Sequence, residues 1–593
     1  MRKKVTLALA LAVVVIAGGF AFFLGGADAT PAAPAVPTSP ILPVDEKRCY
    51  ACHKQIAEFR KGSKHAGVNC ISCHSDLAKH LANPKNRPVT RTDQKACATC
   101  HAKQYESFFA MNWKRPAKME KSQLTGKSPN PMWDLLMMPH GFTREHNMQR
   151  SHAFMLIDHV LVDRAFGGRF VPKDGWAFFA QHGDIKMWDV LMDKFEGVDA
   201  HRPFMHGTGA FANTTCVLCK STDHILDWPY MGAPGKGAKW DRTSKPYELV
   251  KELNHPMACF ACHDPHSTRP RIVRDALIEA LTRPEADTLW HKDPNRTGIE
   301  VYEMGQRGFT RKIAKLAKPD TLLLCGQCHV EYIGNPGIDL ATGKPAGMAD
   351  PRSNHFQFVD VWHYIQHHDD NIKWREFRHG VTGAKLTKIQ HPDVEAFYNS
   401  PHHKAGVTCT DCHMPKMTDT KSGAKFTSHW QTNPRNYIKE TCLQCHTGWT
   451  ETQAKYVMDS TKNFLSGKKR KAEFWLMHLI KKFDEARAVG VDTAVLDKAR
   501  EKHWHAHVHW EWWTAEVSGG FHHIEQARES LNTSMIRSQQ AIMLLDDAIR
   551  AKRGTDTTFM SPTRAGAFIG VGPVRGVDSL HWQRVRDRVK PVK

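Results

Sequence analysis

The stretch KRCYACHKQIAEFRKGSKHAGVNCISCH, residues 47–74, carries the pattern C-x-x-C-H twice: Cys49 and Cys52 before His53, and Cys70 and Cys73 before His74. Outward from it, the spacing recurs as Cys97 and Cys100 before His101, Cys259 and Cys262 before His263, and Cys325 and Cys328 before His329. It recurs twice more, as Cys409 and Cys412 before His413, and Cys442 and Cys445 before His446. An eighth pair, Cys216 and Cys219 in TTCVLCK, is followed by Lys220 instead of histidine. All 16 cysteines of the 593-residue chain fall in these pairs.

Two thiols three residues apart with a histidine directly after them form the attachment site of c-type haem: the thiols tether the porphyrin and the histidine ligates the iron. Zinc ribbons also use C-x-x-C pairs, but they do not require the adjacent histidine. Disulfides are the usual fate of many cysteines in an exported chain, and seven repeats of one pattern with none left over argue against them. The reading is an octahaem cytochrome c with eight covalently bound haem c groups. Of 37 histidines only seven are used in the motifs. Electron-transfer haems are usually six-coordinate, so up to seven more histidines are needed as second axial ligands. The expected fold is mainly α with little β: a haem-packed core and long C-terminal helices.

Residues 1–29 run from Arg2-Lys3-Lys4 through an apolar stretch to Ala27-Asp28-Ala29, the order of an export signal. The apolar run is long enough that an uncleaved membrane anchor stays open as the alternative. Residues 30–44 are a Pro/Ala-rich linker. Three motifs crowd into a module at 45–110 and five spread over 111–450. Residues 451–553 carry helical periodicity without cysteines, and 554–593 form a basic tail. The helices suggest a homo-oligomer through their exposed faces. A periplasmic or other extracytoplasmic location follows from the signal, and it argues against nucleic acid as the partner of the +21 formal charge. Eight haems would add sixteen carboxylates, and the remaining excess suits a small anion. The cluster His503, His505, His507 and His509 reads either as a metal site or as part of an aromatic seam with Trp504, Trp510, Trp512 and Trp513. SKHAGVNCISCH (63–74) and SPHHKAGVTCTDCH (400–413) share a histidine before Ala-Gly-Val, which marks His65 and His402 as distal-ligand candidates.

Lys220 can ligate iron only through a neutral amine. One consequence is a haem with an open opposite face, the feature that separates a catalytic metal site from an electron carrier. The alternative is a degenerate motif completed by a distant histidine.

At this point the chain resembles the ammonia-forming cytochrome c nitrite reductases, whose active haem is attached by C-x-x-C-K. The resemblance covers about residues 145–530 and rests on RSHAF (150–154), CFACHDPHS (259–267), CGQCHVEY (325–332), KIQHP (388–392), AGVTCTDCHMPK (405–416), SHW (428–430) and GFHHIEQARE (520–529). The three additional N-terminal motifs point to the octahaem branch. The resemblance implies Lys220 as proximal ligand of the active haem, with Arg150, Tyr332 and His391 lining its distal pocket. It implies calcium bound by the side chains of Glu331 and Gln390 and the carbonyls of Tyr332 and Lys388. It implies His266, His402, His429 and His522 as distal haem ligands, with His523 as the rival of His522.

Residue chemistry agrees with these roles. Arginine offers a permanent charge and donors to nitrite oxygens, histidine moves protons near neutrality, and calcium prefers oxygen ligands. Taken singly, Arg150 could pair a propionate, His391 could be a haem ligand, and Glu331 a solvated acid. With every cysteine committed to haem, Tyr332 has no thiol to cross-link. The implied activity is six-electron reduction of nitrite to ammonium, extending to hydroxylamine, nitric oxide and sulfite, with electrons from a quinol-linked or cytochrome donor. The alternatives are a hydroxylamine-oxidoreductase-like enzyme, which Lys220 disfavours, and a non-catalytic multihaem electron conduit.

Overall fold

The computed structural model describes residues 44–91, 94–112, 151–155, 214–244, 249, 253, 257–304, 308–379 and 381–553. Arg150, the N-terminal signal, the linker through residue 43 and the basic tail lie outside them. Among the described residues helix dominates, and the strands are short and antiparallel, in sheets of two or three. No described helix is long and apolar enough to cross a membrane.

The cysteine motifs lie on single helical turns, such as α1 (Thr214–Val217). One turn brings residues three apart to the same side, so each turn presents both thiols together. Five of the C-x-x-C-H turns close with the histidine N–H donating to the first cysteine's carbonyl, as in His53 to Cys49 at 2.9 Å. At the lysine motif the bond tightens, with Lys220 N donating to Val217 O at 2.8 Å.

A short sheet of β1 (Arg271–Ile272), β3 (Lys312–Leu316) and β2 (Ile299–Glu303) supports α2 (Asp275–Thr282). Beyond it, β4 (Tyr332–Ile333) pairs with β5 (His355–Phe356), and β6 (Phe377–Arg378) with β7 (Lys385–Leu386). β4 and the chain leaving β7 are the two segments that carry the expected pocket residues.

Three long helices close the chain: α3 (Glu451–Ala488), α4 (Thr493–Ala515) and α5 (Ile524–Arg553). Thr450 and Gln453 form a capping box at the start of α3. Leu476, Leu479, Ile480 and Phe483 recur at helical spacing and are buried. α5 lines its inner face with small residues, and Ser530 and Ser534 donate to the carbonyls of His509 and Ala506 on α4 at 3.1 and 2.7 Å. Such direct contacts require the two backbones to approach closely. α4 is the central helix, buried on most of its circumference, and its tryptophans share a core cluster with Tyr364, Leu386 and Ile389, against which Cys216 packs. The long helices are thus the wall behind the lysine motif.

The four histidines of α4 do not converge. His503 meets Thr382 at 3.0 Å, His507 meets Glu511 at 2.8 Å, His509 meets Ser530 at 2.9 Å, and His505 approaches Asp369 at 3.9 Å.

Candidate functional site

Each of the seven motif histidines faces a second histidine from outside the motifs. The ring centroids are 6.1 Å apart for His53 and His80, 6.3 Å for His74 and His266, and 6.1 Å for His101 and His65. The others are 6.4 Å for His263 and His429, 6.0 Å for His329 and His152, 6.5 Å for His413 and His522, and 6.3 Å for His446 and His402. With a metal–nitrogen bond of about 2 Å and each centroid about 1 Å behind its nitrogen, two axial imidazoles put their centroids about 6 Å apart. Distance alone would not be diagnostic, because His503 and His507 on neighbouring turns of α4 are 6.2 Å apart. What distinguishes the seven is that every pair joins a motif histidine to a non-motif one.

The ring orientations fit the same role. A ligating histidine normally gives its second nitrogen to a carbonyl or carboxylate. Nδ1 makes such a contact in His65 with Pro265 O (2.8 Å), His80 with Asn86 O (2.7 Å), His413 with Thr432 O (2.9 Å), His429 with Thr427 O (2.9 Å), His329 with Asp393 (3.0 Å) and His522 with Glu516 (2.9 Å). In each, Nε2 would be the ring nitrogen available to a metal. Of the histidines that face a motif histidine, sequence reasoning named His65, His266, His402, His429 and His522 and did not name His80 and His152. His523 turns instead toward Glu525 at 3.5 Å.

The motifs themselves are in contact. The Cys49 and Cys70 thiols act on one another electrostatically, as do those of Cys97 and Cys259, Cys219 and Cys328, and Cys325 and Cys409. Cys73 lies in the electrostatic field of Cys97, and Cys412 in that of Cys442. Gln327, inside the Cys325/Cys328 motif, reaches Cys262 Sγ at 3.9 Å. The eight sites form one file with a fork at Cys325/Cys328, and the lysine motif is the end of one arm.

Three of the motif cysteines lie at the protein surface. Cys52, Cys100 and Cys445 are exposed, whereas all the other cysteines are buried or half-buried. Each of the three is the second thiol of its motif and ends a turn at the protein surface, where the residue before it (Ala51, Thr99 and Gln444) is exposed as well. Their first thiols, Cys49, Cys97 and Cys442, are half-buried and face the neighbouring motifs. A turn that packs one thiol inward against the file leaves the other at its rim, so the polypeptide encloses the two tethers unequally. Cys52, Cys100 and Cys445, expected as attachment residues from their spacing, thus lie at the edge of the core.

Around the lysine motif, Thr215 Oγ1 donates to Gly334 O at 2.9 Å, laying the segment after β4 against α1. Gly334 is required there: a Cβ would stand 2.9 Å from the Tyr332 ring and 3.1 Å from Thr215 Oγ1. Tyr332 is buried beside Cys216 and Cys219, and burial pushes its hydroxyl well above the usual phenol range. Lys220 lies within electrostatic reach of His152 and Cys328. Arg274, which sequence reasoning did not single out, acts on Cys219, Cys328 and Tyr332. It bonds Asp275 at 3.0 Å, while its Nε and Nη2 are buried without partners. Orphaned guanidinium donors beside a haem-attachment motif fit a haem carboxylate.

The expected calcium residues meet through one carboxylate. Glu331 Oε2 accepts from the backbone of Gln390 at 2.5 Å, so that Tyr332 and His391, each the next residue, flank the same acid. Lys388 Nζ donates to Gln390 Oε1 at 2.7 Å. Glu331, Glu376 and Glu395 are all buried, and burial raises each carboxyl, Glu376 to about 7 and the others well above the usual range. This excess of buried oxygen acids over the single Lys388 ammonium fits a divalent cation that prefers oxygen.

The family model for cytochrome c552 matches residues 174–567. The cytochrome c nitrite reductase subunit NrfA of Nitratidesulfovibrio vulgaris is 28% identical over 399 residues, covering 64% of this chain and 69% of its own. Cytochrome c-552 of Porphyromonas gingivalis is 26% identical over 405 residues, covering 66% and 70%. Among solved structures, the catalytic subunit of cytochrome c nitrite reductase from Desulfovibrio desulfuricans, described with two calcium sites, shares the fold with a TM-score of 0.55 at 20% identity, over 84% of this chain and 95% of its own.

Proposed function

Because the chain belongs to the cytochrome c552 family, we propose that it is an exported octahaem c-type cytochrome that reduces nitrite to ammonium at the site of Cys216, Cys219 and Lys220. The observation that carries the reading is the contrast among the eight motifs. Seven histidines each face a second histidine at haem-spanning distance, and the eighth motif offers a lysine beside Tyr332. A saturated coordination shell suits electron storage and transfer, whereas chemistry needs a free position.

The haems, when bound, supply the six electrons and the iron that binds the nitrogen of nitrite. The chain supplies the rest. Lys220 would be the proximal ligand. Arg274 brings permanent positive charge that would meet a haem carboxylate, and Arg150, by the family resemblance, would supply a second to the anionic substrate. Conversion of nitrite to ammonium and two waters consumes eight protons. His391 is placed by the Gln390–Glu331 bond to deliver them, and Tyr332, kept protonated by burial, donates a hydrogen bond to oxygen. Glu331, Gln390 and the carbonyls of Tyr332 and Lys388 would hold calcium behind both residues, fixing their distance. Hydroxylamine and nitric oxide, lying between nitrite and ammonium in oxidation level, are substrates of the same pocket, and sulfite is a further one.

The test is reduction of nitrite by a dye donor with the haem-loaded protein, measuring ammonium against electrons consumed. One ammonium per six electrons is expected. No ammonium from fully loaded protein would overturn the reading. Lys220→His should keep haem attachment and lose most turnover.

A further inference from the structure

The histidine-rich helix α4 contributes no member of the seven facing pairs, yet its inner face is engaged. His507 and Glu511 lie one turn apart, both fully buried, with Nε2 and Oε2 2.8 Å apart. Both reach the segment that leaves β7. His507 Nε2 donates to Thr387 O at 3.1 Å, and Glu511 Oε2 accepts from Ile389 N at 3.2 Å. From other elements, Glu376 Oε2 accepts from Lys388 N at 2.6 Å and Glu331 Oε2 from Gln390 N at 2.5 Å. Three consecutive backbone amides, 388 to 390, therefore each end on a different buried carboxylate. Successive N–H groups of an extended chain point to opposite sides, and Glu511 takes the middle one from the helix side. Glu376 also accepts from Asn335 Nδ2 at 3.0 Å, tying in the loop that follows Tyr332.

We infer that Glu511, His507 and Glu376 are positioning residues for the lysine-ligated site: they fix the segment that runs from β7 to His391 and tie it to the segment carrying Tyr332. The physical case is one of magnitude. A buried acid is costly unless its oxygens are hydrogen-bonded. A neutral sheet partner would satisfy the same amides without burying three acids. Three buried side-chain acceptors, anchored in three different elements, on a three-residue stretch give stiffness where His391 must keep its distance to substrate, and a small misplacement of such a group carries a large rate penalty.

This rests on the reductase reading, so the test separates the two. In haem-loaded protein, Glu511→Leu removes the acceptor from Ile389, while Glu511→Gln keeps one. His507→Phe removes the donor to Thr387 and serves if the leucine variant does not fold. Leucine and phenylalanine should each lower kcat/KM for nitrite by roughly tenfold or more, the loss of one buried hydrogen bond, mainly through kcat. Each should also shift the high-spin EPR signal of the lysine-ligated site and leave the seven low-spin signals unchanged. Glutamine should return both readouts to within about threefold of the parent. Unchanged kinetics and spectrum in folded Glu511→Leu and His507→Phe would overturn the inference, as would a glutamine variant as damaged as leucine. A parent protein that yields no ammonium sinks the reductase reading alone, since the EPR arm and optical titration with nitrite still report whether the pocket moves.

Discussion

Asp275→Asn removes one charge from the most heavily bonded carboxylate behind the lysine motif. Asp275 accepts from Trp228 Nε1 at 2.8 Å, Ala276 N at 2.9 Å, Arg274 Nη1 at 3.0 Å and Asn354 Nδ2 at 3.3 Å, with Arg311 at 3.7 Å. The aspartate and both arginines are almost wholly buried. Breaking a buried ion pair by removing one partner costs about 3–5 kcal/mol, because the other charge stays buried without compensation. Here two guanidinium groups would be left so. Guanidinium titration of the haem-loaded variant at neutral pH, followed by circular dichroism, should therefore read a loss of about 3–5 kcal/mol. The loss should shrink in Asp275→Asn/Arg311→Met, where one stranded charge is gone. The pH dependence has a definite sign. Burial opposes ionisation of Asp275, but Arg274, Arg311 and the hydrogen bonds outweigh it and hold the carboxyl below its usual range. A depressed folded pKa adds stability that is complete above the unfolded value near 4 and is lost as pH falls through the folded one. The gap between parent and variant should thus narrow on acidification below about pH 4. A difference under about 1 kcal/mol at pH 7, or one that widens in acid, would refute the account.

Three other outcomes are expected. His152→Ala should convert one low-spin haem to high-spin and abolish most dye-driven turnover, whereas His80→Ala should convert one haem and leave dye-driven turnover near the parent level; EPR and ammonium yield read both. His266→Ala should open the site at Cys70/Cys73 and increase proteolysis between residues 45–110 and the rest, because His266 faces His74 from the other module; intact protease resistance would count against that cross-link. Glu331→Gln should weaken calcium binding by at least about tenfold, measured by chelator competition, and reduce nitrite turnover in parallel.

The eight cysteine motifs were legible in the sequence because covalent tethering would demand contiguous residues, and contiguity is what a motif records. Their depth was not: nothing in C-x-x-C-H tells that Cys52, Cys100 and Cys445 end turns at the surface while Cys219 is buried. The histidines that face the motif histidines come from far along the chain and were legible only where a second signal stood beside them. His65 and His402 shared the Ala-Gly-Val stretch, and His266, His429 and His522 sat in family segments. His80, in LAKHLANPK, has no such marker. His152 lies two residues from Arg150, and reading RSHAF for its arginine leaves its histidine unassigned. Glu376 and Glu511 were not legible at all, since neither spacing nor composition distinguishes an acid that accepts a distant backbone amide from one in solvent. The histidines of α4 show the converse: sequence placed them together, but a helix fans alternate residues to different sides, and they meet Thr382, Asp369, Glu511 and Ser530 separately.

The order of the eight motifs in space gives the lysine site its logic. Chain order would place Cys216/Cys219 in the middle of the file, fourth of eight. The thiol contacts instead run from Cys49 through Cys70 and Cys97 to Cys259, and then by Gln327 to Cys325/Cys328, where the file divides. One arm goes on through Cys409 to Cys442, and the other stops at Cys219. A site in mid-file would have to pass electrons onward as well as use them, and a bound substrate there would interrupt transfer. At the end of an arm it draws from both directions and obstructs neither. His329 and His152 flank the junction, which is why loss of His152 should silence turnover while loss of His80, at the far end of the file, should not.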